Sequence, residues 1–218
     1  RMVLTTSMST GDVGTSVITV NSPFEEASVR TDSNTTGGYL TLIRVGRDMA
    51  RNSFLTSTGR SVTAVTADEM RDVDRVAVED IGLQILQMME NAGRILAWHV
   101  RDVGDGEVMI VAGNGGNGGG GLVCARHLAN RGVPVQVILD RPSEELSGAA
   151  AHQCHILEEM GVSVAPSVDS LAVADGRTAI VDALIGYGLR GDVRPPADEY
   201  IGLMNDLSGP TVSLDVPS

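Results

Sequence analysis

The fold is decided by the stretch Glu107-Val-Met-Ile-Val-Ala-Gly-Asn-Gly-Gly-Asn-Gly-Gly-Gly-Gly-Leu122. Val108–Ala112 is entirely apolar, which is typical of a strand buried on both faces of a parallel sheet. Seven of the nine residues Gly113–Gly121 are glycine, and we expect a loop there, followed by a helix from about Leu122 to Asn130. A strand, a glycine-rich loop and a helix in this order are typical of a dinucleotide-binding unit.

The glycine run has the chemistry of an anion site. Glycine lets the backbone adopt positive φ and approach a ligand closely, and the N-terminus of the next helix offers free N–H groups and a positive dipole end. Gly113, Gly115 and Gly118 satisfy G-x-G-x-x-G, and Asp140 ends the next expected strand about 20 residues further on. The run therefore predicts a cradle for a pyrophosphate; a tight turn without a ligand is the alternative interpretation.

Strands and helices alternate through the rest of the chain. We expect strands over 133–139, 162–164, 178–184 and 211–216, and helices over 144–160 and 197–207. Apolar strands that alternate with helices predict a three-layer Rossmann-like α/β fold, with a mostly parallel central sheet and helices on both faces. Ligands of such sheets bind at the carboxyl ends of the strands.

Two helices are expected before this sheet. Thr66 and Glu69 have the spacing of a capping box, and the apolar pattern after them ends at Gly82. The second helix has an apolar face that we interpret as core rather than as a cofactor surface, formed by Ile85, Met88, Met89, Ala92, Ile95 and Leu96. Residues 1–60 are instead rich in Ser, Thr, Gly and Asn. We therefore predict an N-terminal extension of unknown function over 1–60 and a Rossmann-like domain over 61–218.

Composition excludes several classes of function. The net charge is −12 and all 16 basic residues are arginine, so catalytic, Schiff-base and P-loop lysines are excluded. An acidic surface repels nucleic acid and anionic membranes. No apolar run reaches the roughly 18 residues that span a bilayer, and we expect a cytoplasmic protein. Cys124 and Cys154 are expected as core hydrophobes in a reducing compartment, and the acidic, lysine-free composition is typical of a halophilic prokaryote.

Carboxylates end two of the expected strands. Asp182 is followed by the glycine-containing segment 183–191, and Asp215-Val-Pro-Ser218 follows the last strand. Each aspartate alone is equally consistent with a loop brace. Two acids beside a bound pyrophosphate would need a cation or a proton. The four histidines lack metal-ligand spacing, and we interpret them as structural or exposed: His99, His127, His152 and His155.

With these sites the chain resembles the NAD(P)H-hydrate epimerases, the family of the YjeF N-terminal domain. Met89–Gly93 resembles the family's MENAG helix, and Gly113–Leu128 resembles its GPGNNGGDGLVAARHL segment. Val181–Gly188 is similar to VDALFGTG, and Leu214–Ser218 is similar to VDIPSG. The resemblance covers about Val65 to Ser218.

The resemblance implies an isomerase of cofactor repair, which interconverts the R and S epimers of hydrated NADH and NADPH for an ADP- or ATP-dependent dehydratase, separate or fused. It implies a homodimer and a K⁺ ion held by Asn117, Asp182 and Ser218 through oxygen, the ligand that a hard cation prefers. For acid–base catalysis we expect Asp182 first and Asp215 second. The implied substrate contacts are Gly116, Asn117, Gly118, Gly119, Gly120, Gly186, Tyr187, Gly188, Leu189, Arg190, Gly191, Asp192 and Asp215.

The chain departs from the family pattern at two glycines. Gly116 replaces an asparagine, and Gly120 replaces an aspartate whose loss leaves open whether turnover is retained. The family also continues beyond the position of Ser218, so we expect the domain to be truncated there. Two other functions stay open: a non-catalytic nucleotide-binding scaffold of the same fold, and an NAD(P)-dependent oxidoreductase.

Overall fold

The structure is a computed structural model that describes residues 2–9, 15–22, 53–55, 61–63, 66–103, 106–165, 169, 171, 174 and 177–218. It divides into two compact units, one of Ser28–Leu83 and one that combines Arg1–Ala27 with Gln84–Ser218. Most of the expected extension over 1–60 lies outside the described residues. In its described part, β1 (Met2–Ser9) pairs antiparallel with β2 (Thr15–Ser22).

The smaller unit contains β3 (Ser53–Leu55) paired antiparallel with β4 (Ser61–Thr63), and helix α1 (Ala67–Arg75). The capping box is confirmed: Glu69 N donates to Thr66 Oγ1 at 3.2 Å, and Thr66 N donates to Glu69 Oε2 at 2.7 Å. A wider π-helical turn, Val76–Asp80, follows instead of further α-helix. Gly82 adopts a φ of 82° just beyond it, as expected of a glycine that ends a helix.

The larger unit carries a five-stranded parallel sheet in the order β7-β6-β5-β8-β9. Its elements are α2 (Ile85–Arg101), β5 (Val108–Ala112), α3 (Gly116–Ala129), β6 (Val135–Leu139), α4 (Gly148–Glu159), β7 (Ser163–Ala165), β8 (Ala179–Ala183), α5 (Ala197–Asp206) and β9 (Thr211–Ser213). The strand order reverses between β5 and β8. In an open parallel sheet this reversal leaves a crevice at the carboxyl ends of the strands, where ligands bind.

Helices cover both faces of this sheet. Leu96 of α2, Leu122 of α3 and Leu157 of α4 belong to one buried cluster with alternate residues of the strands. Tyr200 and Met204 of α5 belong to a second cluster on the other face. The predicted three-layer architecture is confirmed. Within the described ranges, none of the helices is long and apolar enough to cross a membrane.

Helix α3 begins at Gly116 and not near Leu122, so the expected loop is wrong over Gly116–Gly121. The physical reason is close packing. A Cβ on Gly118 would lie 1.7 Å from the Gly113 oxygen, and one on Gly121 would lie 2.5 Å from Ala183 Cβ. Helical glycine costs about 1 kcal/mol relative to alanine, but at these positions only glycine allows the helix to approach the sheet.

Two other helix predictions need correction. The helix expected over 144–160 starts at Gly148, after a 3-10 turn at Ser143–Glu145. Of the expected apolar face of α2, Met89, Ala92 and Leu96 are buried, whereas Ile85 is 46% exposed because it lies in the first turn of the helix. Both cysteines are free and buried, which confirms them as core residues.

Candidate functional site

Three of the sequence motifs meet at the carboxyl edge of the sheet. The glycine run follows β5, the Asp182 motif ends β8, and the Asp215 motif follows β9. Backbone hydrogen bonds join these ends: Gly113 N donates to Ala183 O at 3.3 Å, and Leu214 N donates to Asp182 O at 2.8 Å. The crevice between β5 and β8 is therefore lined by all three.

The N-terminus of α3 opens onto this crevice. The first N–H groups of a helix have no acceptor inside it, and Gly119 is the first residue of this run whose N–H donates back, to Gly115 O at 3.0 Å. Cβ atoms on Gly115 and Gly116 would meet nothing within 4 Å, so the space beside them is open. The backbone there can accept an anion.

The later glycines of the run are buried and closely packed in α3. Gly119 and Gly120 are buried inside α3, and a Cβ on Gly119 would lie 2.7 Å from Met89 Sδ. Packing explains glycine at these positions. The open backbone at Gly115 and Gly116 is the part of the run that packing leaves unexplained.

Asp182 is buried, with 4% of its surface exposed. Its Oδ1 accepts from Ser218 Oγ at 2.6 Å and from Leu184 N at 3.3 Å. Its Oδ2 accepts from Ser218 N at 2.8 Å and from Ser213 Oγ at 3.0 Å. Four donors compensate the loss of water around a buried carboxylate. Sequence reasoning missed Ser213, whose only signal is its register opposite Asp182 on the neighbouring strand.

Two of the three residues expected to hold a cation, Asn117 and Ser218, contact the Ile185 peptide, and the third, Asp182, is bonded to Ser218. Ile185 N donates to Ser218 Oγ at 2.9 Å, and the same hydroxyl lies 3.2 Å from the Ile185 carbonyl oxygen. Asn117 Nδ2 donates to that carbonyl oxygen at 2.9 Å. Asn117 and Ser218 therefore both contact the Ile185 peptide, and Ser218 links it to the Asp182 carboxylate.

Asp215 lies at the same carboxyl edge of the sheet as Asn117. Tyr187 N donates to Asp215 Oδ2 at 2.6 Å. A Cβ on Gly186 would lie 2.9 Å from Asp215 Oδ2 and 3.3 Å from Asn117 Cγ, so the two side chains flank Gly186. Asp215 is half-buried and has a φ of 71°. A non-glycine residue in this left-handed region is strained, and such strain is often found at functional sites.

The segment after Gly186 borders the open side of the site. Tyr187 is half-buried, and the rest of the predicted substrate contacts there are exposed: Gly188, Leu189, Arg190, Gly191 and Asp192. Leu189 N donates to Gly186 O at 3.2 Å, which closes a turn at the start of the segment. Its exposed part is therefore available to a ligand.

Asp140 lies beside the first glycine of the run. Its backbone N donates to Ala112 O at 3.2 Å, and its Oδ2 is 3.7 Å from the Cβ position of Gly113. Arg141 donates from Nε to Asp140 Oδ1 and from Nη2 to Oδ2, each at 2.8 Å. These bonds raise the pKa of the Arg141 guanidinium. Sequence reasoning missed Arg141, whose signal is only that it follows Asp140.

The histidines lie elsewhere. His127 Nε2 contacts Glu90 Oε1 at 2.7 Å, and Arg126 pairs with the same carboxylate. His152 and His155 are exposed and His99 is half-buried. Among the residues that the structure describes, no three His, Cys, Asp or Glu side chains are grouped to hold a metal ion. The oxygen atoms around Ser218 include a single carboxylate, that of Asp182.

Comparisons with known proteins identify the family to which the chain is similar. Residues 85–218 match the family described as YjeF-related protein N-terminus. The chain is 41% identical over 172 residues to an NAD(P)H-hydrate epimerase of Dehalogenimonas lykanthroporepellens, which covers 76% of this chain and 68% of that relative. It is 39% identical over 171 residues to a bifunctional NAD(P)H-hydrate repair enzyme Nnr of Salinibacter ruber, which covers 71% of this chain and 32% of that relative. The crystal structure of yeast ynu0, YNL200c, is similar with a TM-score of 0.66 and 28% identity, over 72% of this chain and 71% of that one.

Proposed function

The chain belongs to the family of YjeF-related protein N-termini, and from this premise we propose that it is an NAD(P)H-hydrate epimerase. In this activity the R and S epimers of hydrated NADH and NADPH are interconverted. One observation carries the proposal: Asp215 and Asn117 flank Gly186 beside the open N-terminus of α3. A relative named for this activity matches 76% of the chain at 41% identity.

The strand order indicates which half of the dinucleotide lies over which half of the sheet. In a Rossmann-like sheet the pyrophosphate lies at the glycine run after the first strand, and the two halves of the dinucleotide lie over opposite halves of the sheet. Here the glycine run follows β5, the acids lie at the ends of β8 and β9, and Asp140 follows β6. We therefore place the hydrated nicotinamide ring beside Asp215 and the adenosine beside Asp140.

Asp215 is proposed as the group that transfers protons. Epimerisation can proceed when a carboxylic acid protonates the ring hydroxyl and the C–O bond breaks, while the ring nitrogen lone pair forms an iminium ion and water leaves. The carboxylate stabilises this cation and takes a proton back as water adds to the other face. The partial exposure of Asp215 and its position beside Gly186 support this role.

Asp182, the first catalytic candidate from the sequence, is proposed instead as a ligand of the cation. Its buried carboxylate supplies one negative charge, and Ser218 Oγ and the Ile185 carbonyl supply neutral oxygens nearby. The Asn117 side-chain amide lies against the same carbonyl, which it contacts through Nδ2. One charge with several neutral hard ligands fits K⁺. When bound, the ion would add positive charge that screens Asp182 from the substrate phosphates.

The test is conversion of the R epimer of hydrated NADH, followed by chromatography with purified protein at several K⁺ concentrations. We expect the wild-type protein to accelerate formation of the S epimer. Asp215→Asn should lower kcat by about a thousandfold, the size of a lost acid–base catalyst, with the K⁺ requirement unchanged. Asp182→Asn should instead raise the K⁺ concentration needed for half-maximal activity.

The same experiment distinguishes the epimerase from a second candidate function, a non-catalytic nucleotide-binding scaffold. The glycine at position 120, where the family pattern has an aspartate, favours the scaffold. Substrate binding without any acceleration over the uncatalysed reaction would support the scaffold and exclude the epimerase. A loss of activity in Asp182→Asn alone, with Asp215→Asn fully active, would exchange the two proposed roles.

Two partners belong to the proposal. We propose that the product passes to an ADP- or ATP-dependent dehydratase, because a relative that this chain resembles is a bifunctional repair enzyme.

We also propose a homodimer, supported by exposed apolar side chains on α2, among them Trp98 with 52% and Ile85 with 46% of their surface exposed. Light scattering of the purified protein should give twice the monomer mass, and Trp98→Glu should give the monomer mass.

A further inference from the structure

We propose that Arg141, held by Asp140, recognises the 2′ position of the adenosine ribose and allows the 2′-phosphate of hydrated NADPH to bind. The inference rests on the proposed function, because it assumes a dinucleotide with its pyrophosphate on the glycine run. It goes beyond that function by naming the residue that decides between two substrates.

Asp140 and Arg141 lie where the ribose next to adenine is expected. In this sheet order the end of β6 is the place where a Rossmann-like domain meets the ribose next to adenine. Asp140 is anchored there by its backbone bond to Ala112 O at 3.2 Å. The end of β6 is further braced by Tyr200, whose hydroxyl donates to Leu139 O at 2.9 Å. The Asp140 carboxylate is therefore held beside Gly113, where the glycine run begins.

The guanidinium of Arg141 has donors that its bonds to Asp140 do not use. A guanidinium has five N–H donors, and the two bonds to Asp140 each use one. The three others can face a phosphate, and 36% of the Arg141 side chain is exposed, whereas the Asp140 side chain is only 9% exposed. The guanidinium is therefore the reachable member of the pair, and its orientation is set by the buried carboxylate.

The positive charge of Arg141 offsets the negative charge of Asp140. The chain has a net charge of −12, and Asp140 alone would repel a 2′-phosphate. Arg141 neutralises that carboxylate and presents a planar fork that matches phosphate geometry. Glu145 is close enough to Arg141 to interact with its charge, which limits the attraction. A 2′-hydroxyl does not need the arginine, because it can donate a hydrogen bond directly to a carboxylate.

The test compares binding of ADP-ribose and 2′-phospho-ADP-ribose by calorimetry, which needs no turnover. Arg141→Ala should weaken binding of the 2′-phosphorylated compound by about tenfold or more, and should change binding of ADP-ribose by less than about twofold. Arg141→Lys should restore part of the difference, since it keeps the charge but loses the planar fork. Arg131→Ala is the matched control, because Arg131 donates to His127 O beyond the far end of α3 and should leave both affinities unchanged.

Equal weakening of both compounds by Arg141→Ala, or no weakening of either, would overturn the inference and leave the epimerase proposal standing. Failure of the wild-type protein to bind either compound would overturn it together with the dinucleotide site. If the wild-type protein binds both compounds and Arg141→Ala discriminates between them, but no epimerisation occurs, the inference stands as a property of a binding protein while the proposed function fails.

Discussion

Cδ2 of Leu214 lies 2.7 Å from the position that a Cβ atom on Gly120 would occupy. Residue 120 is an aspartate in the family pattern, and the residue at position 214 is a valine there, which is shorter than leucine. The smaller residue on α3 is therefore matched by a larger one after β9. In this chain Leu214 Cδ2 fills the space beside the buried Gly120, so a side chain at position 120 would require Leu214 to move.

This relationship predicts that Gly120→Asp destabilises the protein by about 2–3 kcal/mol, since overpacking and an unpaired buried acid both cost free energy. Combining it with Leu214→Val should recover more than half of that loss, because the contact of 2.7 Å is removed. Urea unfolding of the two single variants and the double variant measures this coupling. Additive effects of the two substitutions would show that Leu214 is not what excludes a side chain at position 120.

The glycine run predicts a sharp contrast between two substitutions. Gly118→Ala should lower the free energy of unfolding by about 3 kcal/mol or more, because its Cβ would lie 1.7 Å from a backbone oxygen that cannot move aside. Gly115→Ala is the control, because its Cβ meets nothing within 4 Å, and it should fold with nearly wild-type stability. Thermal unfolding of both variants checks this. A Gly115→Ala protein as unstable as Gly118→Ala would mean that the run is constrained by backbone conformation rather than by packing.

Ser218 and Ser213 both donate to the Asp182 carboxylate, and we expect their removal to affect the K⁺ requirement differently. Ser218→Ala removes the hydroxyl that bonds Asp182 Oδ1 at 2.6 Å and lies 3.2 Å from the Ile185 oxygen. It should raise the K⁺ concentration for half-maximal epimerisation by about tenfold, the effect of losing roughly 1.4 kcal/mol of ligation. Ser213→Ala removes a donor to Asp182 Oδ2 and should lower stability without changing the K⁺ requirement. Equal shifts in both variants would contradict a specific role of Ser218.

His99 predicts how stability depends on pH. Burial lowers its pKa from the usual value, and the opposing effect of Asp102 is smaller. The unfolded chain therefore binds a proton more readily than the folded chain below about pH 6.5. The contribution of neutral His99 to stability is complete above that pH and is lost as the pH falls towards the lowered pKa. Urea unfolding between pH 7.5 and 5.5 should show this decline, and His99→Gln should make it shallower; an unchanged slope would exclude His99 as its source.

Much of the fold was predictable because its signals are local. The capping box at Thr66 and Glu69 and the apolar strands arise from short stretches in which neighbouring residues decide the backbone conformation. The start of α3 was not predictable in this way. Glycine has a poor helix propensity, so the local sequence argues against a helix over Gly116–Gly121. The close approach of the Gly113 oxygen to Gly118 and of Ala183 to Gly121, which requires glycine at these two positions, is visible only in the tertiary structure.

The sequence by itself determined the three-layer parallel sheet and the placement of the glycine run, Asp182 and Asp215 at strand ends, because apolar patterning and glycine sterics act over a few residues. Only the tertiary structure decided which of these groups meet. Asn117 and Ile185 are 68 positions apart and share a hydrogen bond, and Ser213 reaches Asp182 through the register of β8 and β9. Such contacts depend on how strands and helices pack against each other, and that packing is set by the whole core rather than by any segment of it.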